Sequence, residues 1–495
     1  MAGIKSLAKD TAVYGMSSIV GRFLNWCLVP MYTHVFPTEE YGIVTLVYSI
    51  VALLLVCLIY GMETGFFRFA NHERWKNPMQ VYTTALTSLS VTSTIFLLIT
   101  LIFSGLFSKM IGCPGHPSYI WMMGVAVAVD AFTSLPFAYL RYKHKAIRFA
   151  TLKLIGIGLN IGLNIFFILV LPLLASSGYL GWMWSADFGV GYIFLANMIS
   201  SVVTLFLLLP ELKLKWTYCD TLLREMLVYS FPLLVLGLAG IMNQSIDKIL
   251  YPLLVSDRSV AMDGLGIYGA NYKIAIIMVM FIQAFRFAYE PYIFSQHKKA
   301  DGTRSNEAYV QAMKWYVIFA MLIFLGVMEM IDIVKWFVAP EYFSGLRVVP
   351  IIMIAEFFFG VFFNLSVWYK ITDRTVYGTW FSLLGLAVTL IMNIVLVPKM
   401  GYMGCAVAAL CCYGTMMIIS WIVGQRKYPI DYDMQSAFLY FTAGVGLWIL
   451  TAAIQKYMEM PSYVLWGIRI LSICAYIWVV AVKEKLLMKT RILKK

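Results

Sequence analysis

Apolar runs long enough to cross a bilayer recur along this chain almost without pause. A helix rising 1.5 Å per residue needs about 20 apolar residues to span the hydrocarbon core. Runs of that kind fall at approximately 11–35, 41–62, 81–107, 118–140, 149–174, 187–209, 228–254, 264–294, 311–338, 344–369, 375–398, 401–424, 435–455 and 462–482. The connections are short, and none has the length of an independent domain. In lipid a spanning segment satisfies its own backbone polar groups, so runs of this length read as helices. The expected fold class is therefore all-α: a polytopic membrane protein of about 14 transmembrane helices. Composition agrees, with 61% hydrophobic and 13% charged residues in a chain of 495, far too apolar for a soluble protein of that size. The opening "MAGIKSLAKDTAVYG" lacks a short apolar core followed by a small-residue cleavage site. The first run is thus expected to stay as a helix.

Lysine and arginine orient such a protein, because they collect in cytoplasmic segments. With the N-terminus placed inside, the cytoplasmic segments hold 27 of the 38 basic residues. The outside loops hold 5: Lys109, Arg258, Arg347, Lys399 and Lys456. This bias supports an even helix count with both termini in the cytoplasm, and it accounts for the net charge of +13 without any nucleic-acid partner. The other 6 basic residues lie within spans: Arg22, Lys248, Lys273, Arg286, Lys335 and Arg469.

Several chemistries find no support. The eight cysteines form no CxxC or zinc-like spacing and read as small packing residues. The five histidines are scattered, whereas metal ligands must cluster. There is no G-x-x-x-x-G-K-[ST] loop, so the chain carries no P-loop ATPase of its own. No metal and no cofactor is expected.

The first run, "YGMSSIVGRFLNWCLVPMY", returns weakly in the seventh, "LGLAGIMNQSIDKILYPLL". At an offset of 222, Gly15, Ile19, Leu28 and Pro30 match Gly237, Ile241, Leu250 and Pro252. At 227, Tyr41-Gly42 matches Tyr268-Gly269 and Glu63 matches Glu290. Six helices separate the copies, so the repeats share one orientation, related by an axis along the membrane normal. The expected organisation is a six-helix lobe over 1–215, a second over 216–425, and two further helices with a basic cytoplasmic tail over 426–495. Pro30 and Pro252 should weaken or bend the first helix of each half.

The stretch "GRFLNWCLVPMYTHVFPTEEYGIVTLVYSI", with its G-R…P…T…P-x-E-Y-G pattern, resembles the opening of Wzx-type polysaccharide-biosynthesis membrane proteins, the O-antigen flippases. "SIDKILYPLL" and "YGANYKIAIIMVMFIQAFRFAYEPYIF" extend the resemblance into the second half, and it weakens after about residue 425. The superfamily also holds MATE drug exporters and the lipid II flippase MurJ. The resemblance implies two lobes forming a V around a central cavity. It implies alternating access that carries an undecaprenyl-pyrophosphate-linked oligosaccharide to the outer leaflet of a bacterial inner membrane. It also implies partners: the lipid-linked oligosaccharide, membrane lipids, a coupling H+ or Na+, and other polysaccharide-assembly proteins.

A basic residue facing lipid costs a few kcal/mol or more, so the six within spans are expected to face protein or water. Residues at i, i+3 and i+4 share a helix face. Arg22, Asn25 and Trp26 form one stripe; Asn243 and Asp247, beside Gln244 and Lys248, a second; Gln283, Arg286 and Glu290 a third. Arginine forks onto phosphate, and amides bond sugar hydroxyls. The expected substrate-binding set is accordingly Arg22, Asn25, Gln244, Lys248, Gln283 and Arg286. For Arg286 the alternative is a structural ion pair with Glu290 at i+4. Buried acids can couple ion movement, which makes Asp247, Glu290 and Glu356 the expected coupling set. Asp130 reads instead as a counter-charge to Arg141, and Asn160 with Asn164 as packing glue.

A MATE-like cation exporter is the rival reading, but a cation site wants unpaired acids where the first helix offers Arg22. A glycan polymerase or ligase, the enzyme alternative, would expose catalytic residues in a sizeable outside loop. The longest here, 108–117 and 175–186, hold no acid–base constellation besides His116. The chain is expected not to be an enzyme.

Overall fold

Helices form wherever the apolar runs place them, and the described residues contain no strand. The structure, a computed structural model, describes residues 15, 17, 19–75, 77–212, 216–297 and 302–493, with the side chains of 288, 290–297, 302–305 and 486–493 outside the description. The helices are α1 (19–26), α2 (Val29–Val35), α3 (Thr38–Ile59), α4 (Met62–Ala70), α5 (Pro78–Ile102), α6 (Ser104–Ile111), α7 (Pro117–Tyr142), α8 (Ala146–Ile165), α9 (Leu171–Ser176) and α10 (Gly191–Leu207). Then come α11 (Asp220–Leu254), α12 (Arg258–His297), α13 (Gly302–Glu329), α14 (Ile331–Val334), α15 (Val348–Leu365), α16 (Val367–Ile371), α17 (Val376–Met400), α18 (Tyr402–Lys427), α19 (Met434–Tyr457) and α20 (Ser462–Leu493). Among the described residues 12 helical segments are long and apolar enough to cross a membrane, and Gly191–Leu207 is a shorter apolar helix. These thirteen match thirteen of the fourteen runs. The remaining run, 11–35, lies partly outside the described residues.

Local chemistry explains the boundaries. Proline opens α5 and α7, where a missing N–H costs nothing. Asn77 caps α5 by accepting from the Met79 amide at 3.1 Å. Tyr60 and Gly61 take positive φ between α3 and α4, a kink within one span. The first helix breaks at Cys27–Leu28 and restarts with Pro30 in the first turn of α2. Pro252, its counterpart, behaves differently. It sits two residues before the end of an uninterrupted α11, so little helix remains for it to bend.

The chain divides into two compact units, 1–269 and 270–495, with the boundary inside α12. In the first unit α7 packs against α5, α10 and α3, α8 against α10, and α11 against α3. A cluster around Met62, Phe66, Tyr82, Leu135 and Met226 ties α4, α5, α7 and α11 together. The Tyr82 and Tyr139 rings stack 4.3 Å apart. The start of α12 crosses α3 through glycines. A Cβ on Gly42 would lie 2.0 Å from the Met262 carbonyl oxygen, and one on Gly266 would lie 1.8 Å from that of Thr38. These contacts are reciprocal at an offset of 224, with Thr45 facing Gly269 at the same offset. The structural register thus differs by three residues from the Tyr-Gly match read in sequence, and a three-residue slip nearly preserves a helix face.

In the second unit α18 packs against α15 and α17, and α13 against α15. The two last helices, α19 and α20, pack on α13 and are joined to it by polar contacts along its length. Near its middle, the Lys314 ammonium meets Glu484 at 2.6 Å, and the Tyr440 hydroxyl donates to the same carboxylate at 2.7 Å. At its end, Thr451 and Ser472 donate to Glu329 at 2.6 and 2.9 Å. Just beyond, Arg469, 3% exposed, pairs with Asp332 at 2.6 Å.

Candidate functional site

The first unit encloses a polar cavity of about 400 Å³. Helices α4, α7, α8 and α10 line it, with Asn25 from α1 and apolar residues from α3. Asp130 and Lys153 are both exposed by surface area although protein surrounds them, because they face this cavity. Asp130 stands about 18 Å from the end of α7, twelve residues at 1.5 Å each. The Ser201 hydroxyl donates to it from α10, and Lys153 is its charged neighbour from α8. The Lys153 ammonium rests over the Phe137 ring, 4.1 Å from its centroid, a cation–π contact that holds the charge without neutralising it.

The Arg141 guanidinium donates to Glu63 at 2.6 Å. That corrects the expected Asp130–Arg141 pairing. The two residues are eleven positions apart on one helix, about 16 Å along its axis, and cannot touch.

Beside the cavity runs a chain of side-chain hydrogen bonds. Tyr32 on α2 donates to Asn164 at 2.9 Å, and Asn164 donates to Asn160 at 2.6 Å. Asn160 donates to Asn197 of α10 at 3.3 Å, and Asn197 donates to the Tyr48 hydroxyl of α3. Tyr48 in turn lies within electrostatic reach of Asp130. The asparagines read as packing glue therefore do join helices, and they also connect the break at α1–α2 with the cavity. Immediately after Asn164 the helix widens to a π-turn over Phe166–Val170, with Pro172 following. Proline cannot donate and would crowd a regular turn, so the wider turn accommodates it.

The residues expected from sequence are spread over several environments. Arg22 is exposed and makes no hydrogen bond or ion pair among the described residues. Asn25, one turn on, lines the cavity. Gln244 is exposed, and its backbone carbonyl accepts from the Lys248 ammonium at 2.9 Å. Asp247 and Lys248 are buried together at 3.2 Å, and the Tyr268 hydroxyl donates to Asp247 at 2.6 Å. Lys248 and Asp247 thus answer each other's charge.

In the second unit Glu356 is buried and accepts from Tyr272 at 2.9 Å. Gln283 is half-buried. The Arg286 guanidinium lies 4.1 Å from the centroid of Phe363, and the Lys370 ammonium 4.3 Å from the same ring. Two cations converge there. The Glu290 side chain lies outside the described residues. Among the described residues no group of three metal-ligating side chains occurs.

Sequence reasoning missed Lys153 and Lys370, which it counted as cytoplasmic bases. A signal for Lys153 existed: Lys153, Gly156, Asn160 and Asn164 fall on one helical stripe. For Lys370 the signal was its spacing from Phe363, seven residues earlier and so on the same helix face within one span.

The model of the family described as polysaccharide biosynthesis protein matches residues 7–298. No curated protein matches the sequence. Among solved structures, the lipid II flippase MurJ in an inward closed conformation is similar with a TM-score of 0.71 at 11% identity, over 96% of this chain and 98% of that one. A multidrug resistance MATE family transporter of the MOP superfamily, inward-facing, gives 0.66 at 15% identity, over 82% and 94%. A MATE protein in a straight conformation gives 0.58 at 14%, over 86% and 95%. Identities this low show the fold alone.

Proposed function

The chain belongs to the polysaccharide biosynthesis protein family, and on that premise we propose that it is a secondary transporter that flips a lipid-linked oligosaccharide by alternating access. Substrate would cross from the cytoplasmic to the outer leaflet of a bacterial inner membrane, between a lobe of residues 1–215 and one of 216–425, with 426–495 as an appendage and both termini cytoplasmic. The observation that carries this reading is the pair of cations, Arg286 and Lys370, held on Phe363. Positive charge inside apolar helices is costly and is retained where it meets an anion or water. A pyrophosphate head group is the kind of anion that two cations brought onto one ring can receive, and Arg22, with Lys248 beside its partner Asp247, would add to the binding surface. Asn25, Gln244 and Gln283 would bond sugar hydroxyls. Asp247, Glu290 and Glu356 would couple the movement to H+ or Na+.

The test uses inverted membrane vesicles loaded with labelled undecaprenyl-pyrophosphate oligosaccharide. Replacing both Arg286 and Lys370 with Ala should lower the flipping rate more than tenfold with normal membrane insertion, since each charge-assisted contact is worth about 1.5–3 kcal/mol. Unchanged flipping would reject the site. Collapsing the proton and sodium gradients separately identifies the coupling ion.

The similarity to a multidrug resistance MATE family transporter keeps a second reading in play, a cation exporter built around Asp130 in the first-unit cavity. Uptake of a lipophilic cation into the same vesicles, competing with the glycan lipid, would favour it.

A further inference from the structure

The first-unit cavity has the oxygen donors of a hard-cation site. Asp130 supplies a carboxylate, Ser201 donates to it, and Thr133, Ser134, Ser200, Thr204, Asn160 and Asn197 line the same space. Hard cations take such ligands: carboxylate, hydroxyl, amide carbonyl and water. Several of these hydroxyls already spend their proton on backbone carbonyls, which turns lone pairs toward the cavity. Thr133 donates to Asp130, Ser134 to Ala131, Ser200 to Gly156 and Thr204 to Ser200.

The charges balance without any ion. Glu63 is engaged by Arg141 at 2.6 Å. The charged groups left in the cavity are Asp130 and Lys153. The other polar groups facing them are Tyr48 from α3, Asn25 from α1 and Ser201 from α10. Lys153 makes no hydrogen bond or close ion pair among the described residues. Only the Phe137 face holds it. A long flexible side chain held by one ring can move between that ring and the carboxylate.

We infer that Lys153 is a tethered cation: from its seat on Phe137 the ammonium can swing to the place beside Asp130 that a free sodium ion would occupy, so the cavity exchanges protons and excludes Na+. This rests on the proposed ion coupling and selects H+ over Na+ within this unit. A sodium ion entering beside Asp130 would meet the tethered positive charge of Lys153 in the same cavity, and like charges disfavour each other in a partly desolvated site. A proton moving onto Asp130 needs no added counter-charge, because Lys153 can return to Phe137.

The test measures cation binding without any glycan lipid, so its outcome is separate from that of the flipping assay. The purified full-length protein in detergent is heated in NaCl or in choline chloride at equal ionic strength. Wild type and Lys153→Arg should unfold at the same temperature in both salts. Lys153→Met, and Lys153→Gln as the variant that keeps a polar head, should gain a saturable stabilisation of a few degrees specific to Na+. Adding Asp130→Asn to either should abolish that gain. The inference is overturned if wild type already shows a Na+-specific rise that Asp130→Asn removes. It is equally overturned if the monodisperse Met and Gln variants show none.

Discussion

The crossing of α3 and α12 offers the sharpest quantitative prediction. In Gly266→Ala the new methyl would stand 1.8 Å from the Thr38 oxygen, 2.8 Å from its carbonyl carbon and 3.0 Å from the Gly42 nitrogen. All three are backbone atoms, so no rotamer change relieves the clash. Ordinary contact begins near 3.4 Å, so the two helices must part by about 1.6 Å. Overpacking of that kind costs about 1–3 kcal/mol, and a rigid partner puts this site at the upper end. Against it stands a gain of about 1 kcal/mol from replacing glycine inside a helix. The net loss should be about 2 kcal/mol. Gly240→Ala, in α11 with no atom within 4 Å of the added carbon, should show only the gain. The two variants should therefore differ by about 3 kcal/mol, read as thermal unfolding in one detergent. Gly42→Ala should behave like Gly266→Ala. Gly269→Ala should cost less, because it meets the Thr45 side chain, which can rotate. If Gly266→Ala unfolds at or above the temperature of Gly240→Ala, the reasoning fails.

Three further outcomes are expected. Asp332→Asn should destabilise the protein by about 1–3 kcal/mol, because the buried Arg469 charge loses its close carboxylate and keeps only Gln455 and the nearby Glu329, whereas Asp332→Asn combined with Arg469→Met should recover much of that loss in the same unfolding assay. Asp433, in the loop before α19, is partly buried, which pushes its carboxyl up; bonds from the Ser436 side chain and amide and the nearby Lys483 and Lys314 charges outweigh this and hold it below the usual range. Its contribution to stability is therefore full above about pH 4 and lost as pH falls through the depressed folded value. Asp433→Asn keeps the cap and should flatten that part of the pH–stability curve, as checked by unfolding midpoints from pH 6 down to 3. Arg22→Ala should abolish flipping in the vesicle assay with insertion unchanged. Arg22→Lys should retain partial flipping if charge alone matters, and little if a forked contact is required.

Much of the architecture was legible in the residues. Thirteen of fourteen apolar runs coincide with helices, and the proline pair located the break near Pro30. Pro252 shows where the reading stopped: the same residue at the corresponding place lies within an unbroken helix, because what matters is how much helix follows. The site was legible only in part. Asn25 lines a cavity inside the first unit, while Arg22, one turn away, is exposed and outside its lining. The Asp247–Lys248 pair was visible as adjacent residues, but its third member, Tyr268, comes from the next helix.

By itself the sequence determined the all-helical class, the membrane-spanning character and the family. Hydropathy and lysine–arginine bias are properties of single segments and need no partner. Which charge answers which was decided only by the tertiary structure. Arg141 went to Glu63 and not to Asp130, and Arg469 found Asp332. The physical reason is that an ion pair between helices depends on the rotation and depth of both, quantities that no single helix encodes.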